Sequence, residues 1–103
     1  MSADAAPAYM PAADVYECEG AIVVRLALPG VIEEDIDVSF PPGAVLVRGE
    51  VLPPVMPGPA RAVLAEWRYG YFERAIELPA RVDAETVSVR FEAGVLELTL
   101  RRL

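Results

Sequence analysis

Apolar and polar residues alternate with a period of two along most of the chain. Ala21–Leu28 places Ile22, Val24, Leu26 and Leu28 on one face and Arg25 with two alanines on the other. Asp35–Phe40 sets Ile36, Val38 and Phe40 against Asp35, Asp37 and Ser39. Thr86–Phe91 and Val95–Leu100 repeat the pattern, with Val87, Val89 and Phe91 on one strand and Leu96, Leu98 and Leu100 on the other. Ala44–Glu50 and Tyr71–Leu78 are less regular but strand-like, and Val15–Cys18 reads as a short first strand. None of these segments keeps apolar residues three and four apart, as a helix requires.

Turn residues separate the segments. Pro29-Gly30, Pro41-Pro42-Gly43 and Pro79 each follow a strand. Ala93-Gly94 falls where two strands are close enough for a hairpin, without the Asn or Asp that usually precedes Gly there. Short strands with one apolar face, joined by such turns, predict an all-β fold: two antiparallel sheets packed as a sandwich. Val51–Gly58 is too rich in proline for a central strand. By propensity Ala60–Trp67 would make one or two helical turns. The 51–69 stretch therefore has no place in the sandwich, and a connection this long in a small domain is usually functional or mobile.

Composition narrows the chemistry. The 103 residues suffice for one domain, of radius of gyration about 13 Å if compact. They include no Lys, His, Asn or Gln, so imidazole bases, Schiff-base lysines and the side chains best suited to adenine edges are all missing. No phosphate-loop or dinucleotide motif occurs. The net charge of −7 falls wholly in residues 1–50, where nine acids face Arg25 and Arg48, and an acidic half repels nucleic acid. No apolar run approaches the length of a membrane span, and Met1–Asp14 does not read as a signal peptide. With Cys18 as the single cysteine, a disulfide-stapled secreted module is not expected, and the cytoplasm is the expected compartment.

Isolated candidates for chemistry are weak. Glu33, Glu34, Asp35 and Asp37 lack the ligand spacing of a calcium loop and read as a solvated turn. Cys18, between Glu17 and Glu19, reads as a quiet, partly buried thiol. No catalytic, cofactor or metal site is expected, and the chain does not read as an enzyme. Arg74 is more informative, because it shares the face of Phe72, Ile76 and Leu78, where an unpaired charge is costly unless it snorkels to water. Trp67, Tyr69, Tyr71 and Phe72 hold half of the eight aromatic residues within six positions, as core filling or an interface would.

Three ordered motifs carry a resemblance to a known family. Leu28-Pro29-Gly30-Val31 with Glu34-Asp35-Ile36 and Val38 resembles a stretch of the α-crystallin domain of small heat-shock proteins. Glu66, Arg68-Tyr69-Gly70, Phe72, Arg74 and Leu78-Pro79 are similar to a second, and Phe91 with Gly94-Val95-Leu96 to the closing one. The sequence departs from the family at Trp67, usually Arg, at Val89, often Ala, and at Ala93, where Asn or Asp is usual.

The resemblance implies an immunoglobulin-like sandwich over residues 15–100, preceded by a flexible arm at 1–14 and followed by a vestigial tail at 101–103. It further implies an ATP-independent chaperone, a holdase that binds unfolded or partly unfolded proteins and keeps them from aggregating. In bacterial and plant members, the loop equivalent to 51–69 carries a strand that pairs with the first strand of a partner subunit. A homodimer by strand exchange is accordingly expected through Val15, Tyr16, Cys18, Ala62, Leu64, Glu66, Trp67, Arg68, Tyr69 and Arg74, with 60–67 as strand rather than helix. The short ends make a dimer the expected state, not a large assembly. The groove for clients, or for another chain's tail, would be lined by Ile36, Val38, Phe40, Val87, Val89 and Phe91, of which at least half should belong to the core. Neither membrane nor nucleic acid is an expected partner. The alternative function is a non-chaperone adaptor, or co-chaperone-like binding module, on the same sandwich.

Overall fold

In the computed structural model, residues 9–103 are described, and they form seven strands. These are β1 (Ala13–Cys18), β2 (Ala21–Ala27), β3 (Asp37–Ser39), β4 (Ala44–Val51), β5 (Gly70–Glu77), β6 (Val82–Glu92) and β7 (Val95–Arg102). One sheet has the order β1-β2-β7-β6 and the other β3-β4-β5, every pairing within them antiparallel. The four strand edges are therefore β1, β6, β3 and β5.

The period-two pattern decides which faces meet. Ile22, Val24 and Leu26 of β2 and Leu96, Leu98 and Leu100 of β7 point inward from the larger sheet, and all are buried. Val45, Val47 and Val51 of β4, with Phe72 and Ile76 of β5, meet them from the smaller one. Each such side chain contributes about 1.5–3 kcal/mol when fully withdrawn from water. Among the described residues no polar or charged side chain is buried.

Two elements differ in detail from the sequence expectation. Glu33–Asp35 forms a single 3-10 turn, so β3 begins only at Asp37. Strand β6 starts at Val82, ahead of the expected Thr86, because its register against β7 shifts between Asp83 and Ser88. From Asp83 to Ser88 β6 advances five residues while β7 advances two, and this odd excess of three reverses the alternation: Val82 and Ala84 point inward before the shift, Val87, Val89 and Phe91 after it. Asp83 holds the irregularity. Its Oδ1 accepts from the Glu85 amide at 3.0 Å, its carbonyl accepts from Thr86 Oγ1 at 3.2 Å, and its Oδ2 pairs with Arg101 at 3.1 Å.

Neither helix nor strand forms between β4 and β5. Residues 52–69 are exposed throughout and hold only bends, so the helical reading of Ala60–Trp67 fails. Good helix formers do not make a helix where no apolar face is buried. The molecule measures 54 × 30 × 20 Å with a radius of gyration of 15.8 Å, above the roughly 13 Å of a compact chain this long.

The ends also differ. The arm expected to run to Asp14 is already placed at Tyr9, and β1 begins at Ala13; residues 1–8 lie outside the described residues. Of the expected tail, Arg101 and Arg102 belong to β7, and the Leu103 amide donates to the Arg81 carbonyl at 2.9 Å.

Candidate functional site

The sandwich has two long seams, and they are treated differently. Along one, β1 of the larger sheet faces β5 of the smaller. Residues 9–12 cross it as a strap. Tyr9 makes a parallel bridge to Phe72, and their rings lie 5.9 Å apart. Arg74 Nη1 donates to the Pro11 carbonyl at 2.9 Å, and the Ala27 amide of β2 donates to the Ala12 carbonyl at 3.0 Å. Burial raises the Tyr9 phenol above its ordinary pKa.

Among the described residues, no strap crosses the opposite seam, between β3 and β6. Val89 opposes Leu98 and Phe91 opposes Leu96 across β6–β7, while Val38 opposes Val47 across β3–β4. Directly opposed residues share a face, so all three point inward. Leu98 and Val47 are completely buried, yet Val89 remains 52% exposed. An inward side chain half open to water means that this seam stands apart. Ile36, Val38, Phe40, Val87 and Phe91 are partly buried against the core, so five of the six groove residues also support the sandwich. Only Val89 is spared for contact with something else.

The expected dimer residues fall in three places. Val15, Tyr16 and Cys18 are exposed on β1, whose outer edge pairs with no other strand among the described residues. The partly buried thiol expected at Cys18 is instead exposed, because β1 is an edge strand with little covering either face. Ala62, Leu64, Glu66, Trp67, Arg68 and Tyr69 lie in the exposed loop. Arg74 belongs with neither set. It is half-buried in the strapped seam, and its partner is a main-chain carbonyl of its own chain.

The loop has internal structure of its own. Its proline limb (Pro53, Pro54, Met56) and its returning limb (Ala62, Leu64, Trp67, Tyr69) flank an open cleft of about 430 Å³. Trp67 and Tyr69 stack with ring centroids 6.5 Å apart. The Trp67 ring edge rests on Gly30, where an added Cβ would sit 3.2 Å from Cζ3. Beyond that anchor Val63 is 91% exposed and Val55 96%.

Among the described residues no acidic centre emerges. Glu33–Asp35 are exposed on their turn, and Asp37 is drawn to Arg48 at 3.2 Å, a bond that raises the guanidinium pKa further. Among the described residues no group of three His, Cys, Asp or Glu side chains is placed to hold a metal. Among the described residues no helix is long and apolar enough to cross a membrane.

What the sequence missed is the strap. Arg74 on an apolar face demanded a partner, but the partner is a carbonyl, and carbonyls leave no mark on residue type.

Known proteins share this fold. Residues 14–103 match the family model described as Hsp20/alpha crystallin family. Heat shock protein 16 of Schizosaccharomyces pombe is 34% identical over 97 residues, covering 90% of this chain and 66% of that protein. Spore protein SP21 of Stigmatella aurantiaca is 37% identical over 94 residues, covering 91% of this chain and 56% of its own. The chain thus spans between about half and two thirds of the length of these curated relatives. Among solved structures, heat shock protein 16.0 from Schizosaccharomyces pombe superposes with a TM-score of 0.82 at 33% identity, covering 92% of this chain and 88% of that one. The hspA of Xanthomonas axonopodis gives 0.79 at 30% identity, with 91% and 94% covered. With the sandwich, its strand order and the family match in agreement, the chain belongs to the Hsp20/alpha crystallin family.

Proposed function

We propose that this chain is an ATP-independent holdase that takes extended apolar segments of unfolding proteins along the open β3–β6 seam. The observation that carries the reading is Val89, which faces the core beside Leu98 but keeps 52% of its surface exposed. An edge strand with apolar side chains turned toward an open seam offers both ladder hydrogen bonds and side-chain pockets to an extended peptide. Membership of a family whose named members include heat shock proteins supports the same reading.

The working unit is a homodimer. The exposed loop limb at 62–69 reaches the unpaired edge of β1 in a second copy, bringing Leu64, Glu66 and Trp67 to Val15, Tyr16 and Cys18. Pairing there would remove from water the apolar surface that the isolated chain exposes. Arg74 supports this interface from behind the strap rather than from within it. The activity needs no cofactor and no catalysis, and the cytoplasm is its place.

The test is light scattering from a heated client protein without nucleotide. The intact chain should suppress scattering at one dimer per client, and Val89→Glu should weaken suppression several-fold with the fold intact. No suppression by the intact chain overturns the reading and favours an adaptor on the same sandwich.

A further inference from the structure

The strapped seam contains a small recognition pattern that its present occupant fills incompletely. In parallel register, Tyr9 lies against Phe72 and, two residues on, Pro11 lies against Arg74. The strap thus presents an aromatic ring to an aromatic ring and a neutral carbonyl to a guanidinium. Arg25, Arg48, Arg90, Arg101 and Arg102 all find carboxylates, at 3.0–3.4 Å. Arg74 is half-buried and, among the described residues, has no carboxylate within ion-pairing distance. A carboxylate makes a stronger hydrogen-bond partner for guanidinium than an amide carbonyl does, and more so away from water.

The strap is also lightly held. Its described hydrogen-bonded links are the single bridge at Tyr9, the Arg74–Pro11 bond and the Ala27–Ala12 bond, to which the Tyr9 ring on Phe72 and the buried Pro11 add apolar contact. Beneath it lie Phe72, the largest fully buried side chain, and the outer edge of β5. Segments with so few links open well below the free energy of global unfolding. Opening would free a strand edge, an aromatic face and an unsatisfied cation in one line.

We propose that the β1–β5 seam is a second docking site for extended peptide segments, closed in the resting chain by residues 9–12. Its preferred ligand carries an aromatic residue followed two positions later by a carboxylate. The occupant is argued from the strap itself, which shows the direction and spacing, and from Arg74, which supplies the charge. Because the strap competes, apparent affinity is reduced by the fraction of chains in which it is open. The inference rests on the chaperone reading, but it is measured by peptide affinity and not by suppressed aggregation, so either can fail alone.

The probe is an end-capped eight-residue peptide of serine and threonine with one phenylalanine and, two positions later, one glutamate; its control carries glutamine instead. NMR titration of the intact chain should shift Phe72 and Arg74, and shifts confined to Val38 and Val89 overturn the proposal. Tyr9→Ala should bind the glutamate peptide about tenfold more tightly than the intact chain, with the β2 and β7 amides unmoved as proof of fold. The glutamate peptide should bind about tenfold more tightly than its control, and Arg74→Gln should abolish that preference. Equal affinity for the two peptides with Arg74 in place, or no gain in Tyr9→Ala, refutes the site.

Discussion

The ring of Phe72 lies on the α-carbon of Gly49, its directly opposed residue across β4–β5. A Cβ at position 49 would sit 2.6 Å from Phe72 Cζ and 2.7 Å from the Asp35 carbonyl oxygen. The two inward positions therefore share one volume, which the aromatic residue fills and the glycine vacates. The ring can turn aside, but the Asp35 oxygen is main chain, in the 3-10 turn leading into β3, and yields less cheaply than a side-chain tip. Gly49→Ala should cost about 1–3 kcal/mol, in line with overpacking elsewhere. That corresponds to a melting temperature lower by about 10 °C in circular dichroism. An unchanged melting temperature would show that the turn yields freely.

The β6–β7 hairpin carries an avoidable strain. Ala93 has φ +54° and Gly94 +75°, so both residues of the two-residue turn between Glu92 and Val95 are left-handed. Such a turn suits Asn-Gly, whereas alanine there costs on the order of 1 kcal/mol. Ala93→Asn should raise the urea midpoint by about 0.5–1 kcal/mol of stability at constant slope. A lowered midpoint would contradict the turn assignment.

Tyr9 gives the strap a pH limit. Burial raises its phenol pKa in the folded chain above the ordinary value of about 10. Its contribution is complete below the unfolded pKa and is lost as pH rises through the higher folded value. Between about pH 9 and 11 the intact chain should therefore lose more stability than Tyr9→Phe, which keeps the ring but cannot ionise. Paired thermal melts by circular dichroism measure the difference, and parallel curves would disprove it.

The loop should control subunit number. Val51 ends β4 and is buried, so a deletion meant to spare the fold must begin after it. Removing residues 53–60, or changing Trp67 to Glu, should shift the dimer toward monomer by light scattering coupled to size exclusion. A mass equal to that of the intact chain would place the dimer contact on another edge.

The strands were legible in the sequence because each buries one face, and burial on one face writes a period of two into the residues. Where that rule is broken, legibility ends. Val82 and Ala84 were missed as strand residues because the shift at Asp83–Ser88 reverses the phase, and a reversed phase looks like no pattern at all. The loop at 52–69 misled propensity because helix formers were read without a surface for them to cover. Candidate groove residues were found through their apolarity, but apolarity could not separate Val89 from its five neighbours; only its exposure beside a buried Leu98 does. The strap was hidden for a different reason, since its decisive bond is to a backbone oxygen.

The position of Trp67 changes how this protein can be watched. It is the only tryptophan in the chain, and it stands 63% exposed in the loop with its edge on Gly30, not in the core. Its emission will therefore follow the loop and whatever the loop touches, and it will be nearly blind to the sandwich. Fluorescence and circular dichroism melts of the same sample should part company, and the gap between them would record a change of neighbours before any loss of fold.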